Sequence, residues 1–390
     1  MSSSFSATFY TNVLDKAAQR GDFQVVRWLI RNGCRIGRKT LELAVGSNNL
    51  ELCYFLECHN AKVTLKCTEL AVKAHNFPLF QWLFSKQSPV YPTATIVTAA
   101  ANGNMEVLDW IPESEYQDSN SCTAAAKTGN LELVLWTRER GCDWDESTAA
   151  AAAESGNLDV LRYVLENKCP YGSNLSIHVA KSGSIEGLKY IEELGLPIRS
   201  GCYGSAAEKG NLELLEWLLQ KGVPKTEFAC DYAAAKGDLK TLKWLQENQF
   251  DWSQFTLENS APHPEIFKWL RSNGCPWGIL TIPHIILEKN VDLLRWALEQ
   301  GCTTEPHICN YAAKHGNISI LKVLVEFKYQ FTLLTCENAA AAYDLGMLQW
   351  LVKNGAQISN GVYNIAKHNQ DKEMKRWLRL HNCDFDDSDY

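Results

Sequence analysis

The chain has 390 residues, 46% of them hydrophobic and 21% charged, with a formal net charge of −7; this is the composition of a folded globular protein and excludes wholesale disorder. No run of about 18 apolar residues is present, and the opening MSSSFSATFY has neither the basic start nor the apolar stretch of a signal peptide, so an intracellular, cytoplasmic chain with no membrane partner is expected. A pI near 5.8 argues against a large phosphate-binding surface.

In chain order, one phrase recurs: GDFQVVRWL (21–29), GNMEVLDWI (103–111), GNLELVLWT (129–137), GNLDVLRYV (156–164), GNLELLEWL (210–218) and GNISILKVL (316–324). With the aromatic of each LxWL-like run as an anchor, anchors fall at Trp28, Phe55, Trp82, Trp110, Trp136, Tyr163, Tyr190, Trp217, Trp244, Trp269, Trp296, Val323, Trp350 and Trp377. The steps lie between 25 and 28 residues and most are 27, which makes fourteen units from about residue 11 to residue 385. A fixed period of this length is the signature of a repeat architecture.

Each unit reads as two short helices. Six residues before the anchor stands Asn, Asp or Ser in every unit but one, where His263 takes the place; these side chains cap the orphan N–H groups of a helix start. One residue earlier, Gly21, Gly103, Gly129, Gly156, Gly183, Gly210, Gly237 and Gly316 supply a left-handed stop for the preceding helix. That preceding, leading helix carries an Ala-Ala pair in eight units, from Ala17/Ala18 to Ala339/Ala340, small enough for close helix approach. The trailing helix is apolar on a broad face, as in Leu212, Leu214, Leu215, Trp217 and Leu218. One pair alone leaves that face in water, whereas a stack of pairs buries it. The fold class expected is therefore an all-α solenoid of about fourteen stacked helix-turn-helix repeats: a lead at 1–10, one continuous array over 11–385, and an acidic, fraying tail at 386–390.

Two irregular stretches break the period. SAPHPEIF (260–267) shortens one unit by two residues and sets Pro262 and Pro264 at a helix junction, predicting a local bend there. FSKQSPVYPTA and IPESEYQDSN mark a second irregular region near 84–120.

The residues of the repeat carry a resemblance. AAEKGNLELLEWLLQKGV (206–223) resembles the AAxxGHLEVVxLLLxxGA half of the ankyrin repeat, and the likeness recurs along nearly the whole chain. The TPLH of that repeat is absent, and the unit is 27 residues against 33, so the β-hairpin tips are expected to be shortened or missing. Such short units with GCPW-like connections are similar to ankyrin-type arrays of large DNA viruses of amoebae and of some protists, which places the chain in a host cytoplasm if it is viral. The resemblance implies a non-catalytic scaffold that binds a protein on its concave leading-helix face. It also implies a partly basic contact stripe eight and nine residues before the anchors, at Arg20, Lys73, Lys127, Lys181, Lys209, Lys236 and Lys314. Cations near a helix C-terminus also complement its dipole, as acids do in the first turn of the same helices (Asp15, Glu42, Glu69, Asp231, Glu337). Viral ankyrin proteins resemble ubiquitin-ligase adaptors, but no F-box-like segment is visible at either end.

Competing chemistry finds little footing. Of fourteen cysteines, Cys34, Cys142, Cys169, Cys275, Cys302 and Cys383 sit six residues after an anchor, and Cys67, Cys122, Cys202, Cys230, Cys309 and Cys336 at the start of a leading helix. They read as small, reduced core residues. Cys53, Cys58, His59, Cys67 and His75 match no common zinc spacing, so no metal is assigned. Trp144, Trp252 and Trp277 lie eight residues after an anchor and are expected to pack each unit's exit. No GxSxG, HExxH, P-loop or dinucleotide motif is present, the nine histidines share no helical phase with a carboxylate or nucleophile, and no catalytic residue or cofactor is expected. The alternatives carried beside the scaffold are a structural or self-assembling component and, with less support, an RNA-binding helical repeat. Because the last unit is polar, as a capping repeat should be, a monomer is expected; the acidic balance and the lack of a repeated base-reading pair in the leading helices argue against nucleic acid.

Overall fold

A computed structural model describes residues 12–86, 93–111, 119–315 and 317–381. Gly316, Cys383, the lead at 1–10, the tail at 386–390 and the irregular segments at 87–92 and 112–118 lie outside the described residues. Among the described residues every regular element is helical and no strand occurs. The helices fall into two compact units, Met1–Arg199 and Ser200–Tyr390.

Each unit is a stack of helix pairs. In the first, leading helices cover residues 12–19, Thr40–Gly46, Leu65–Lys73, Thr93–Ala101, Ser119–Thr128, Glu146–Ser155 and Leu175–Ser182. Their trailing partners are Phe23–Arg31, Leu50–Cys58, Phe77–Ser85, Met105–Trp110, Leu131–Glu139, Leu158–Glu166 and Ile185–Glu193. In the second, the leading helices begin at Gly201–Glu208, Phe228–Lys236 and Thr256–Asn259 and end with Asn360–His368, and the trailing helices run from Leu212–Gln220 to Lys372–Leu380. Isolated helices this short are unstable in water, so stacking supplies their stability. Neighbouring leading helices pack most closely where they present buried alanines such as Ala152, Ala206, Ala207, Ala233 and Ala234; Thr256–Asn259 and Thr281–Leu287 have none. Trailing helices insert Leu214, Leu215 and Leu218 and their equivalents.

The helix starts follow the expected caps. Asn49, Asn130, Asn157, Asn211, Asp238 and Asp371, among others, accept from the backbone N–H three residues on, while His263 makes no such bond. The stops are more general than the glycines suggested. Gly129 and Gly210 are left-handed as expected, but at the same phase Asn48, His75, Lys289, Tyr343 and Gln370 adopt φ between 51° and 59°. The turn geometry is demanded by the repeat, and where glycine is absent a side chain bears its cost. Pro262 occupies this phase in the shortened unit, where proline's ring forbids positive φ. There the two-residue deletion is absorbed by the leading helix, which shrinks to the four residues Thr256–Asn259, and Pro264 opens the trailing helix at a position that needs no N–H. The other irregularity ends the six-residue helix Met105–Trp110 at Ile111, before Pro112.

Two sets of polar bonds fix one helix pair on the next. Capping asparagines use their amide twice: Asn157 Oδ1 caps its own helix and Nδ2 donates to the Gly129 carbonyl at 2.9 Å, and Asn49 reaches Gly21 in the same way at 3.1 Å. Acids at this phase of the leading helices are acceptors for the following unit, and Glu42 and Asp231 are first-turn dipole complements as well, whereas Glu337 stands past the first turn of its helix. Thr40 Oγ1 donates to Asp15, Thr64 Oγ1 to Glu42 at 2.9 Å, and Ser359 Oγ to Glu337. Ser253 and Thr256 both donate to Asp231 at 2.6 Å. Asn310 holds the equivalent place and accepts from Thr332 and Thr335 at 2.7 and 2.6 Å. These bonds run between residues 22 to 28 apart, the length of one repeat.

Candidate protein-interaction surface

All seven residues of the expected basic set are exposed. Lys73, Lys127, Lys181, Lys236 and Lys314 occupy the last turns of their leading helices and Lys209 the C-cap. There the carbonyl end of the helix favours a cation. The fold brings only some of them together. In the first compact unit, Lys127 lines an open groove and Lys181 bonds Glu154, which lines it too; in the second, Lys209 and Lys236 end adjoining leading helices. Arg20 and Lys73 are separated by a helix that offers Gly46 and Ser47 at this phase, and Lys314 is separated from Lys236 by Ser260/Ala261 and Leu287/Glu288.

The groove has a volume of about 530 Å³ and lies across the leading helices Ser119–Thr128, Glu146–Ser155 and Leu175–Ser182. Lys127, Glu146, Glu154 and His178 line it together with Thr123 and Asn174. Its charge is mixed, which the basic set alone did not convey: Glu154 stands at the stripe phase in the intervening helix and accepts from Lys181 Nζ at 3.1 Å and from His178 Nδ1 at 2.8 Å. Partial burial acts to raise the Glu154 pKa, but the hydrogen bonds and charges of His178 and Lys181 outweigh it and hold the carboxyl below its ordinary value. Lys181 is therefore partly neutralised. Among the described residues no ion pair engages Arg20, Lys73, Lys127, Lys209, Lys236 or Lys314.

Other candidates resolve into packing. Among the described residues no three His, Cys, Asp or Glu side chains gather as a metal site; Cys53 and Cys67 are buried, Cys58 is exposed, and His59 bonds the Phe55 carbonyl at 2.8 Å. Ten of the described repeat-phase cysteines are buried free thiols and Cys34 is half-buried. Burial pushes Cys169, Cys275 and Cys302 up to about 12. Trp144 and Trp277 are half-buried under the guanidinium groups of Arg138 and Arg271, 4.1 and 4.4 Å from the ring centres, and Trp252 meets Trp269 edge-on at 6.3 Å. Tyr171, at the same phase, is instead exposed. Among the described residues no helix is long and apolar enough to cross a membrane.

Residues 205–246 match the family model described as ankyrin repeats (many copies). No curated protein matches the sequence significantly. Solved structures similar to the chain include the pentatricopeptide repeat protein PPR10 from maize, 12% identical, covering 97% of this chain and 69% of that one with a TM-score of 0.33. Another is PPR10 in complex with an 18-nt psaJ RNA element, 14% identical, covering 95% and 68% with a TM-score of 0.36.

Proposed function

From the ankyrin repeats at 205–246, we propose that the chain is a non-catalytic scaffold that binds a protein partner on the exposed ends of its leading helices. The observation that carries this reading is the set of exposed, unpaired cations in these last turns. Lys127 stands beside an open groove in one compact unit, and Lys209 and Lys236 on adjoining helices in the other. The helix dipole accounts for their sign, but a residue needed only for the dipole gains nothing from bordering a groove of about 530 Å³. Glu154 and His178 within that groove add an acceptor and a titratable donor, so the partner presents carboxylates to the lysines and polar groups to the Glu154 cluster.

The test is affinity capture with the tagged chain from lysate of its native cell, beside the K127E/K181E/K209E/K236E variant. A stoichiometric protein retained by the first and lost by the second supports the scaffold. Recovery of nucleic acid alone, or equal retention by both chains, overturns it.

A further inference from the structure

Thirteen of the fourteen anchors are buried or half-buried. In the first compact unit three helix pairs show what covers them. Phe23 stands edge-on to Phe55 with ring centres 5.3 Å apart, Tyr54 does the same to Trp82 at 4.5 Å, and Asp109 accepts from Nε1 of Trp136 at 2.9 Å. In these three the cover is an aromatic ring or a carboxylate from the preceding repeat; Tyr190 instead meets the guanidinium of Arg162, 5.0 Å from its ring centre. Trp28 departs from this pattern: it is 62% exposed, with Val25 at 39% on the same helix face.

The segment around Trp28 is strongly basic. Residues 12–39 hold seven Lys and Arg against Asp15 and Asp22. Both carboxylates are engaged, Asp15 by Thr40 and Asp22 by the Val25 N–H it caps. Arg31, Arg35, Arg38 and Lys39 are exposed, and among the described residues none of the seven cations forms an ion pair. An exposed tryptophan in a segment rich in exposed arginines combines residue types that dominate binding energy at interfaces.

We propose that this first-repeat face binds the C-terminal segment CDFDDSDY, residues 383–390, of a second copy of the chain. The segment carries Asp384, Asp386, Asp387 and Asp389 with Phe385 and Tyr390, and no cation. Both kinds of group cover anchors elsewhere in the molecule, a carboxylate at the indole N–H of Trp136 and a ring against Phe55 and Trp82. Charge complementarity selects the acidic segment over a neutral one, because the arginines reward carboxylates and repel the basic helix Lys372–Leu380 that precedes it. Eight extended residues reach about 27 Å, enough to cross two helices of about 10 Å each. The contact joins unlike surfaces, so it links copies head to tail. This proposal departs from the monomer expected from the polar last repeat.

Sedimentation velocity of the full chain, over a range of concentrations at low ionic strength, tests the proposal. Wild type is expected to sediment faster as concentration rises and to lose this at roughly 0.5 M salt, where screening is strong. Trp28→Ala and the tail variant D384N/D386N/D387N/D389N are each expected to weaken association by about tenfold or more. Trp28 is mostly exposed, so its removal leaves the fold intact. R31E/R35E alone is expected to remain monomeric, and R31E/R35E combined with D386K/D387K to regain association. A wild-type chain monomeric at every concentration, or association that survives the tail or Trp28 variants, overturns the proposal.

Discussion

Asn157 joins two repeats through one amide: its Oδ1 accepts from the Val160 N–H at 3.3 Å while its Nδ2 donates to the carbonyl of Gly129 at 2.9 Å, 28 residues earlier. A cap requires only an acceptor, which Asp and Ser supply equally well. The second bond requires a donor as well, which ionised Asp lacks. Asn157→Ala is expected to lose both and to lower stability by about 1–2 kcal/mol. Asn157→Asp keeps the cap, loses the bridge, and should fall between the two in urea unfolding. Equal midpoints for the Ala and Asp variants would show the bridge to be the only bond that matters.

Asp231 is a buried carboxylate whose partners are two hydroxyls, Ser253 and Thr256, rather than a cation. Asp231→Ala leaves both hydroxyls without their acceptor and is expected to cost about 1–3 kcal/mol. Asn310 serves the same two-hydroxyl arrangement with a neutral amide, so Asp231→Asn should recover most of that loss. Thermal unfolding of the two variants decides it, and an Asn variant as unstable as the Ala variant would mean that the charge itself is required.

Acid should act partly through Glu154. Its pKa is depressed below 4.5 in the folded chain, so the stability it contributes is fully present above its unfolded value and is lost as pH falls through the folded one. Between about pH 5 and pH 3, Glu154→Gln is expected to lose less stability than wild type. Parallel urea midpoints across that range would contradict the link. Because the group is partly exposed, the effect should shrink in high salt.

Thiol reactivity should be strongly graded. Cys169, Cys275 and Cys302 are buried with pKa values pushed up to about 12, whereas Cys58 is exposed. In a Cys383→Ser background at pH 8, Cys58 should be alkylated first and the buried thiols only on unfolding. Mass mapping after a short iodoacetamide pulse reads this directly. Rapid labelling of Cys275 would reveal local opening of its repeat.

Lys289 and Tyr343 hold left-handed backbone at φ 56° and 58° where other repeats use glycine. Lys289→Gly and Tyr343→Gly are each expected to stabilise the chain by up to about 1 kcal/mol. The converse change, Gly129→Ala at φ 71°, should destabilise it and also crowd Asn157 Cβ, which an added methyl would meet at 3.4 Å. Unchanged melting temperatures for both glycine variants would mean that their side-chain packing offsets the strain.

The repeat and its helix pairs were legible from the letters because each rests on local chemistry: a capping side chain, a stop, and an apolar stripe in a fixed period. Those signals act within about nine residues, and thirteen of the fourteen caps, Asp22 to Asp371, behave as their side chains require. The buried cysteines and the exposed basic residues were legible for the same reason, since phase within the repeat fixes which face a side chain takes. The surface itself was only half legible. Counting cations gave Lys127 and Lys181 but not the Glu154 between them, whose bonds to His178 and Lys181 make the groove mixed in charge.

By itself the sequence determined the element type, the period and the inward and outward faces, because propensity, capping and amphipathicity are properties of neighbouring residues. Only the tertiary structure decided what lies one repeat away. It turned Asp231 from a dipole complement into an acceptor for Ser253 and Thr256, and Asn157 from a cap into a bridge. It also left Trp28 alone among the anchors in solvent. Each of these depends on the distance between side chains about 27 residues apart, and that distance exists only once one helix pair has been laid against the next.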